Sequence, residues 1–217
     1  MKGDVIVVDE NHRRVAATIA AMIGKQLDAR PGRFLLTVAG ESGAGKSETA
    51  AALAEQLLGA GIRSVILGQD DYFALPPRAN DARRRQDPDW LGPHVEVRFD
   101  LLQANANSAL AGVPSIEKPT IDYSASAIAT ETVSLAGVKV VIVEGTYVSL
   151  LRHVDVRIFI DRTRLETLEH RMRRNRGNEV RDPFIEGVLG QEHKIIAGHR
   201  HLADLVVTNS YDVLAAD

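Results

Sequence analysis

Phe34-Leu35-Leu36-Thr37-Val38-Ala39 runs without interruption into Gly40-Glu41-Ser42-Gly43-Ala44-Gly45-Lys46-Ser47, which matches G-x-x-x-x-G-K-[ST] at every position. The apolar run has the length and composition of a strand buried on both faces. The alanine-rich stretch from Glu48 to Leu58 is expected to be a helix, closed by Gly59 and Gly61. Between the two, the glycines let the main chain curl so that successive N–H groups point inward, at a helix N-terminus whose dipole favours anions. Gly40, Ser42, Gly43, Ala44 and Gly45, with Glu48 in the first helical turn, are therefore expected to surround a triphosphate. Lys46 is expected to bridge its β- and γ-phosphates, and the Ser47 hydroxyl to ligate Mg²⁺. ATP and Mg²⁺ are the implied cofactors.

Outward from this loop, strand-sized apolar runs alternate with helical periods. Val65-Ile66-Leu67, Val138 to Val143, Val156 to Ile160 and Leu205-Val206-Val207 read as buried strands; Val97 to Leu110, Thr163 to Arg174 and Pro183 to His199 read as helices. Ser115 to Leu135 alternates weakly and reads as a hairpin arm, and Gln69 to Pro93 shows no clean period. The expected fold is α/β: a parallel sheet of about five strands with helices on both faces, plus a lid and the hairpin arm. Residues 33–217 form this domain. Residues 1–32 are expected to be a helical extension packed on it, after a short apolar run Val5-Ile6-Val7-Val8. Val15, Ile19, Met22, Ile23 and Leu27 supply the period, Asn11 the N-cap and Arg30-Pro31-Gly32 the stop.

Composition removes other classes. With 217 residues the chain can bury a core without a disulfide or metal staple. It has no cysteine, which excludes a disulfide scaffold, a thiolate zinc site and a Cys nucleophile. A net charge of −3 provides no global field for nucleic acid or an anionic membrane surface. The longest apolar run is strand-sized and the N-terminus carries an acid, so neither a membrane span nor a secretory leader is expected and the cytoplasm is the default location. The expected partner is a small-molecule hydroxyl acceptor; the composition leaves room for a homo-oligomer.

The remaining chemistry-bearing residues favour phosphoryl transfer. Gln69-Asp70-Asp71-Tyr72-Phe73 follows the second strand at its carboxyl end, where open α/β sheets bind ligands. A kinase needs a carboxylate there to orient and deprotonate the acceptor hydroxyl. Because the two acids are adjacent, only one is expected to point inward. Glu144, closing Val140-Val141-Ile142-Val143, stands where a second metal-organising carboxylate is required. Arg162, Arg164, Arg171, Arg173, Arg174, Arg176 and Arg181 crowd one segment. Arg162, Arg164 and Arg173 read as a solvated helix face, whereas Arg171 and Arg174 share a face and, with Arg176, suit a lid that closes over the γ-phosphate. No lysine sits in the Asn/Thr-Lys-x-Asp element of GTPases, and the Leu-Ser-Gly-Gly-Gln signature of transporter ATPases is absent. Gln191-Glu192-His193 and His199-Arg200-His201 lack the spacing of a metal site. Trp90, the single tryptophan, is a candidate for the acceptor pocket.

Together, the phosphate loop, Gln-Asp-Asp-Tyr-Phe, Val-Ile-Val-Glu-Gly and the arginine segment resemble the uridine kinase family within the phosphoribulokinase and uridine kinase group, from about Phe34 to Val207. The resemblance implies ATP-dependent transfer to a sugar-like hydroxyl. It implies Asp70 as catalytic base beside Lys46, Ser47 and Glu144 with Asp70 at the metal, and Arg171, Arg174 and Arg181 as lid arginines. On the substrate side it implies Asp70, Tyr72, Asp87 (in the segment that binds ribose), Asp122, Tyr123, Glu144 and Arg181. The arm departs from the family's pattern. Pro119-Thr120-Ile121-Asp122-Tyr123-Ser124-Ala125-Ser126-Ala127-Ile128 carries Ile121, Ser126 and Ile128 where the family has an aromatic, a histidine and an arginine. A nucleoside such as uridine is the first acceptor the resemblance suggests. A sugar or pantothenate-like alcohol is nearly equal to it, because the base-reading groups are missing. A triphosphate-hydrolysing switch is the alternative outside the kinases.

Overall fold

The computed structural model describes residues 6–163, 166 and 182–216. Its organising element is β1 (Phe34–Gly40), buried along its whole length. Phe34, Leu36 and Val38 point to one face and Leu35 and Ala39 to the other, the period of two that a strand imposes. The first face is covered by α1 (Glu10–Ala29) and α2 (Lys46–Gly59), through Val15, Ile19, Ile23, Leu27, Leu53 and Leu57. On the second face lie Phe99, Leu102 and Ala106 of α4 (Phe99–Leu110) and Ile196, the last residue of α5 (Pro183–Ile196).

Flanking β1 in parallel are β5 (Val140–Gly145) and β6 (Val156–Ile160); β2 (Ser64–Gly68) extends the sheet beyond β5, and β7 (Leu205–Val207) beyond β6. β8 (Val213–Ala215) adds a sixth, antiparallel strand, giving the order β2-β5-β1-β6-β7-β8. The expected parallel core of five is thus present. β8 was not expected; unlike the equally short β7 it is largely exposed. β2 is half-buried rather than buried because it forms the sheet edge. The arm is an antiparallel pair, β3 (Ser115–Asp122) and β4 (Ala127–Ser134).

Several expected details are corrected. The N-cap of α1 is Asp9, not Asn11: the Asp9 carboxylate accepts from the His12 N–H at 3.1 Å, and His12 Nδ1 accepts from the Asp9 N–H at 3.3 Å. That reciprocal pair needs an accepting side chain three residues on, which Arg14 could not supply to Asn11. Ile6, Val7 and Met22 are exposed. α3 (Pro77–Gln86) occupies the stretch without a period, since its residues are almost all polar and no apolar stripe could announce it. The helix after Pro183 gives way at Ala197 to a 3₁₀ turn, Ala197–Leu202. Among the described residues no helix is long and apolar enough to cross a membrane.

The hairpin is tied to the sheet through the short 3₁₀ turn Gln69–Tyr72. Asp71, 4% exposed, accepts from Lys118 Nζ at 2.7 Å and from the Ile121 N–H at 3.0 Å, while Lys118 also meets Glu131 at 2.7 Å. Removing one charge from a buried cluster weakens it, although Glu131 still holds Lys118. Asp71→Asn is accordingly expected to lower the unfolding free energy by ~1–3 kcal/mol in urea titration, with nucleotide affinity retained.

Candidate active site

Three strand ends converge. From β1 the chain enters the glycine loop, and α2 begins at Lys46 after Gly45, whose φ of +98° lies in the left-handed region. A Cβ at Gly45 would stand 3.1 Å from His12 Nε2, so α1 backs the phosphate loop as well as the core. Lys46 Nζ donates to the Glu41 carbonyl at 2.8 Å, bracing the loop from inside. Ser42, Gly43, Gly45, Lys46 and Ser47 all line the central cleft. Gly40 and Ala44 complete the curl, and Glu48 is buried in the first turn of α2.

The end of β5 brings Glu144 against this loop: Ser47 Oγ donates to its Oε2 at 3.3 Å. The turn after β2 brings Asp70 to the same cleft while Asp71 faces the hairpin, the division of labour expected of adjacent acids. Glu144 retains some exposure to the cleft, yet burial, and then the charge of Asp70, push its carboxyl up to about 7 against the opposing pull of Lys46 and Ser47. A raised carboxyl binds its proton more tightly in the folded than in the unfolded chain. The nucleotide-free protein is therefore expected to lose stability as pH rises from about 4.5 to about 7, by on the order of 3 kcal/mol. Comparing melting temperatures of wild type and Glu144→Gln at pH 4.5 and 8 checks this: the variant should gain on wild type only at the higher pH.

Other residues join that the sequence did not announce. Glu192 of α5 is buried, and its Oε1 accepts from the Ser42 N–H at 3.0 Å and from Thr146 Oγ1 at 3.5 Å; burial raises its carboxyl. The neighbouring His193 Nδ1 meets Glu41 Oε1 at 2.6 Å, so α5 is fastened to the loop by two consecutive residues. The cleft is also lined by Asn80 and Arg84, one turn apart on α3, by Glu96, and by Tyr147 from the turn after β5. Arg84 Nε and Nη2 both donate to Glu96 Oε2, at 2.7 and 2.6 Å, and Asn80 Nδ2 donates to the same oxygen at 3.1 Å. The i, i+4 spacing of Asn80 and Arg84 and the position of Tyr147 three residues after Glu144 were the available signals.

The other substrate-side candidates scatter. Tyr123 and Ile121 line the cleft. Tyr72 does not: it is fully buried, its hydroxyl accepting from Asn105 Nδ2 at 2.9 Å. Asp87 and Trp90 stand in a separate depression with Arg85 and Phe184. There Asp87 pairs with Arg83 at 2.9 Å, and Trp90 Nε1 donates to Asn80 Oδ1 at 2.8 Å. Asp122 closes the hairpin turn, accepting from Ser124 Oγ at 2.7 Å and the Ala125 N–H at 2.9 Å. Arg162, expected on a solvated face, is held by Asn209 Oδ1 at 3.1 Å and the Tyr211 hydroxyl at 2.7 Å. Arg164, Arg171, Arg173, Arg174, Arg176 and Arg181 lie outside the described residues.

Comparison with known proteins bears on the family and the fold. Residues 35–207 match the model of the phosphoribulokinase / uridine kinase family. The chain is 29% identical over 186 residues to a bifunctional alpha-galactosidase/sucrose kinase of Mediterraneibacter gnavus, covering 81% of this chain and 20% of that one, so it spans about a fifth of that relative's length. It is 28% identical over 166 residues to a uridine kinase of Staphylococcus epidermidis, covering 75% of this chain and 77% of that protein. The solved structure of a possible uridine kinase from Bacillus stearothermophilus superposes with a TM-score of 0.61 at 16% identity, over 87% of this chain and 98% of that one, a likeness of fold. With a P-loop kinase architecture, a complete phosphate loop and carboxylates at the ends of β2 and β5, this chain belongs to the phosphoribulokinase and uridine kinase family.

Proposed function

We propose that this protein transfers the γ-phosphoryl group of ATP to a hydroxyl of a small sugar-like acceptor. The observation that carries the acceptor class is the lining of the cleft beyond the phosphate loop. Hydrogen-bonding side chains dominate it, Asn80, Arg84, Glu96 and Tyr147 beside Phe73 and Tyr123, and Ile121 holds the arm position where the family pattern has a ring. Such a surface suits an array of hydroxyls rather than an aromatic base. Similarity to a protein named for sucrose kinase activity points the same way.

In this reading the loop N–H groups and Lys46 hold the triphosphate. Asp70 takes the proton of the acceptor hydroxyl as its oxygen bonds to the γ-phosphorus and the bond to the β,γ-bridging oxygen breaks, releasing ADP. Ser47, Glu144 and Asp70 offer the hard oxygen donors that suit Mg²⁺, and a buried carboxyl raised by a neighbouring acid is where a cation would relieve charge. The ion, when bound, would neutralise charge on the phosphate oxygens. Arg171, Arg174, Arg176 and Arg181 belong to the same proposal as groups that close over the transferring phosphoryl.

A panel of sucrose, D-fructose, D-glucose, uridine, D-glycerate and pantothenate, each with Mg²⁺ and ATP and read by ADP release, tests it. Turnover that depends on one of the sugars is the expected result. Preference for uridine would replace the sugar by a nucleoside. ATP turnover independent of every acceptor, raised instead by another protein, would indicate a switch and overturn the kinase reading.

A further inference from the structure

The first half of the phosphate loop is held from outside by α5. Glu192 Oε1 accepts from the Ser42 N–H at 3.0 Å, and the adjacent His193 Nδ1 meets Glu41 Oε1 at 2.6 Å. The two contacts differ in kind. His193 grips a side chain, whereas Glu192 takes a main-chain N–H of the Gly40–Ser47 curl, and main-chain N–H groups of such a curl are what phosphate oxygens bind. Glu192 and Ser42 both line the cleft, so the contact lies on the surface a nucleotide has to use and not behind it. Burial raises the Glu192 carboxyl against the opposing pull of Lys46 and then of the Ser42 N–H. The groups that favour its charged form are thus two that a triphosphate also needs. One N–H cannot serve a carboxylate and a phosphate oxygen together, and two anions in contact repel strongly in a partly enclosed cleft. The Thr146 hydroxyl, which donates to the same Oε1 at 3.5 Å from the turn after β5, gives the side chain a hold that does not belong to the loop.

We propose that Glu192 is an internal competitor for the phosphate loop: its carboxylate occupies the Ser42 N–H that a phosphate oxygen of the nucleotide takes, so ATP binds by turning it out. This rests on the ATP-site reading above and adds a regulatory contact to it. The free energy of turning Glu192 out is subtracted from nucleotide affinity, so ATP binds more weakly than the loop alone would allow. Because Glu192 and His193 are consecutive, the exchange is also felt by α5: of its two ties to the loop, the His193–Glu41 pair is the one that stays.

Calorimetry with a non-hydrolysable ATP analogue and Mg²⁺ compares wild type with Glu192→Gln and Glu192→Ala. Glu192→Gln keeps an acceptor for the Ser42 N–H and removes the charge that opposes phosphate; Glu192→Ala removes both. The dissociation constant is expected to fall about tenfold or more in each variant that a melting curve shows to be folded. An unchanged or larger dissociation constant in a folded variant would make Glu192 a support of the loop and overturn the competition. A crystal structure of the wild-type complex with the same analogue is a second readout that needs no variant. Glu192 Oε1 is expected beyond hydrogen-bond reach of the Ser42 N–H, with a phosphate oxygen in its place. Glu192 still on that N–H with the triphosphate in the loop would overturn the proposal, whatever the variants do. Wild type that binds no analogue removes the ATP-site reading and the competitor with it; wild type that binds it confines any failure to Glu192.

Discussion

Asp70→Asn is expected to lower kcat by ~10²–10⁴, with the dissociation constant for ATP within about a factor of two of wild type. The substitution keeps the shape and hydrogen-bonding reach of the side chain and removes its basicity. Asp70 lines the cleft beyond the phosphate loop, and no hydrogen bond to it contributes to the described fold, so the loss falls on proton abstraction rather than on stability. Removing its charge also relieves Glu144, whose carboxyl Asp70 helps push up to about 7. The acidic limb of kcat/KM for ATP should therefore move to lower pH in the variant. The neighbouring position is the control: Asp71→Asn should destabilise the fold. If Asp70→Asn turned over at the wild-type rate on the best acceptor, Asp70 would lose its role as base.

Why the sequence yields one half of the site and not the other follows from how each half is encoded. The triphosphate side is local. A strand, a glycine curl and a helix start are contiguous between Phe34 and Leu58, and Glu144 ends a strand recognisable by its own apolar run. The acceptor side is assembled from distant segments. Asn80 and Arg84 come from an arginine-rich helix with no apolar stripe, Glu96 from a loop, and Tyr147 from the turn after β5. No spacing rule links the three segments; only folding brings them to one cleft. The same limit explains the scattered candidates. Asp87 and Asp122 are acids in the right stretches, but short-range partners claim them, Arg83 in one case and the hairpin turn in the other. Tyr72 belongs to the motif around Asp70, yet a 3₁₀ turn rotates it into the core. Where a role depends on which way a turn aims consecutive side chains, sequence proximity alone does not decide it.

Lys46→Ala should produce the complementary defect, a loss of nucleotide affinity itself. Lys46 Nζ is held by the Glu41 carbonyl at 2.8 Å, so the ammonium is folded back over the curl where a triphosphate would lie. A charge-assisted contact to phosphate in a partly enclosed cleft is worth roughly 1.5–3 kcal/mol. Affinity for a non-hydrolysable ATP analogue, measured by calorimetry, is thus expected to fall between about tenfold and a few hundredfold. A further contribution comes from the loop, since Glu41 O loses its donor and its residue is tied to α5 through His193. Lys46→Arg separates the two. It keeps the charge but presents a planar fork too large for the space the ammonium fills, so it should preserve thermal stability better than alanine while still weakening nucleotide binding. Wild-type affinity in Lys46→Ala would mean that the curl between Gly40 and Ser47 does not grip phosphate through its lysine. The carboxylates facing it would then need another reaction to explain them.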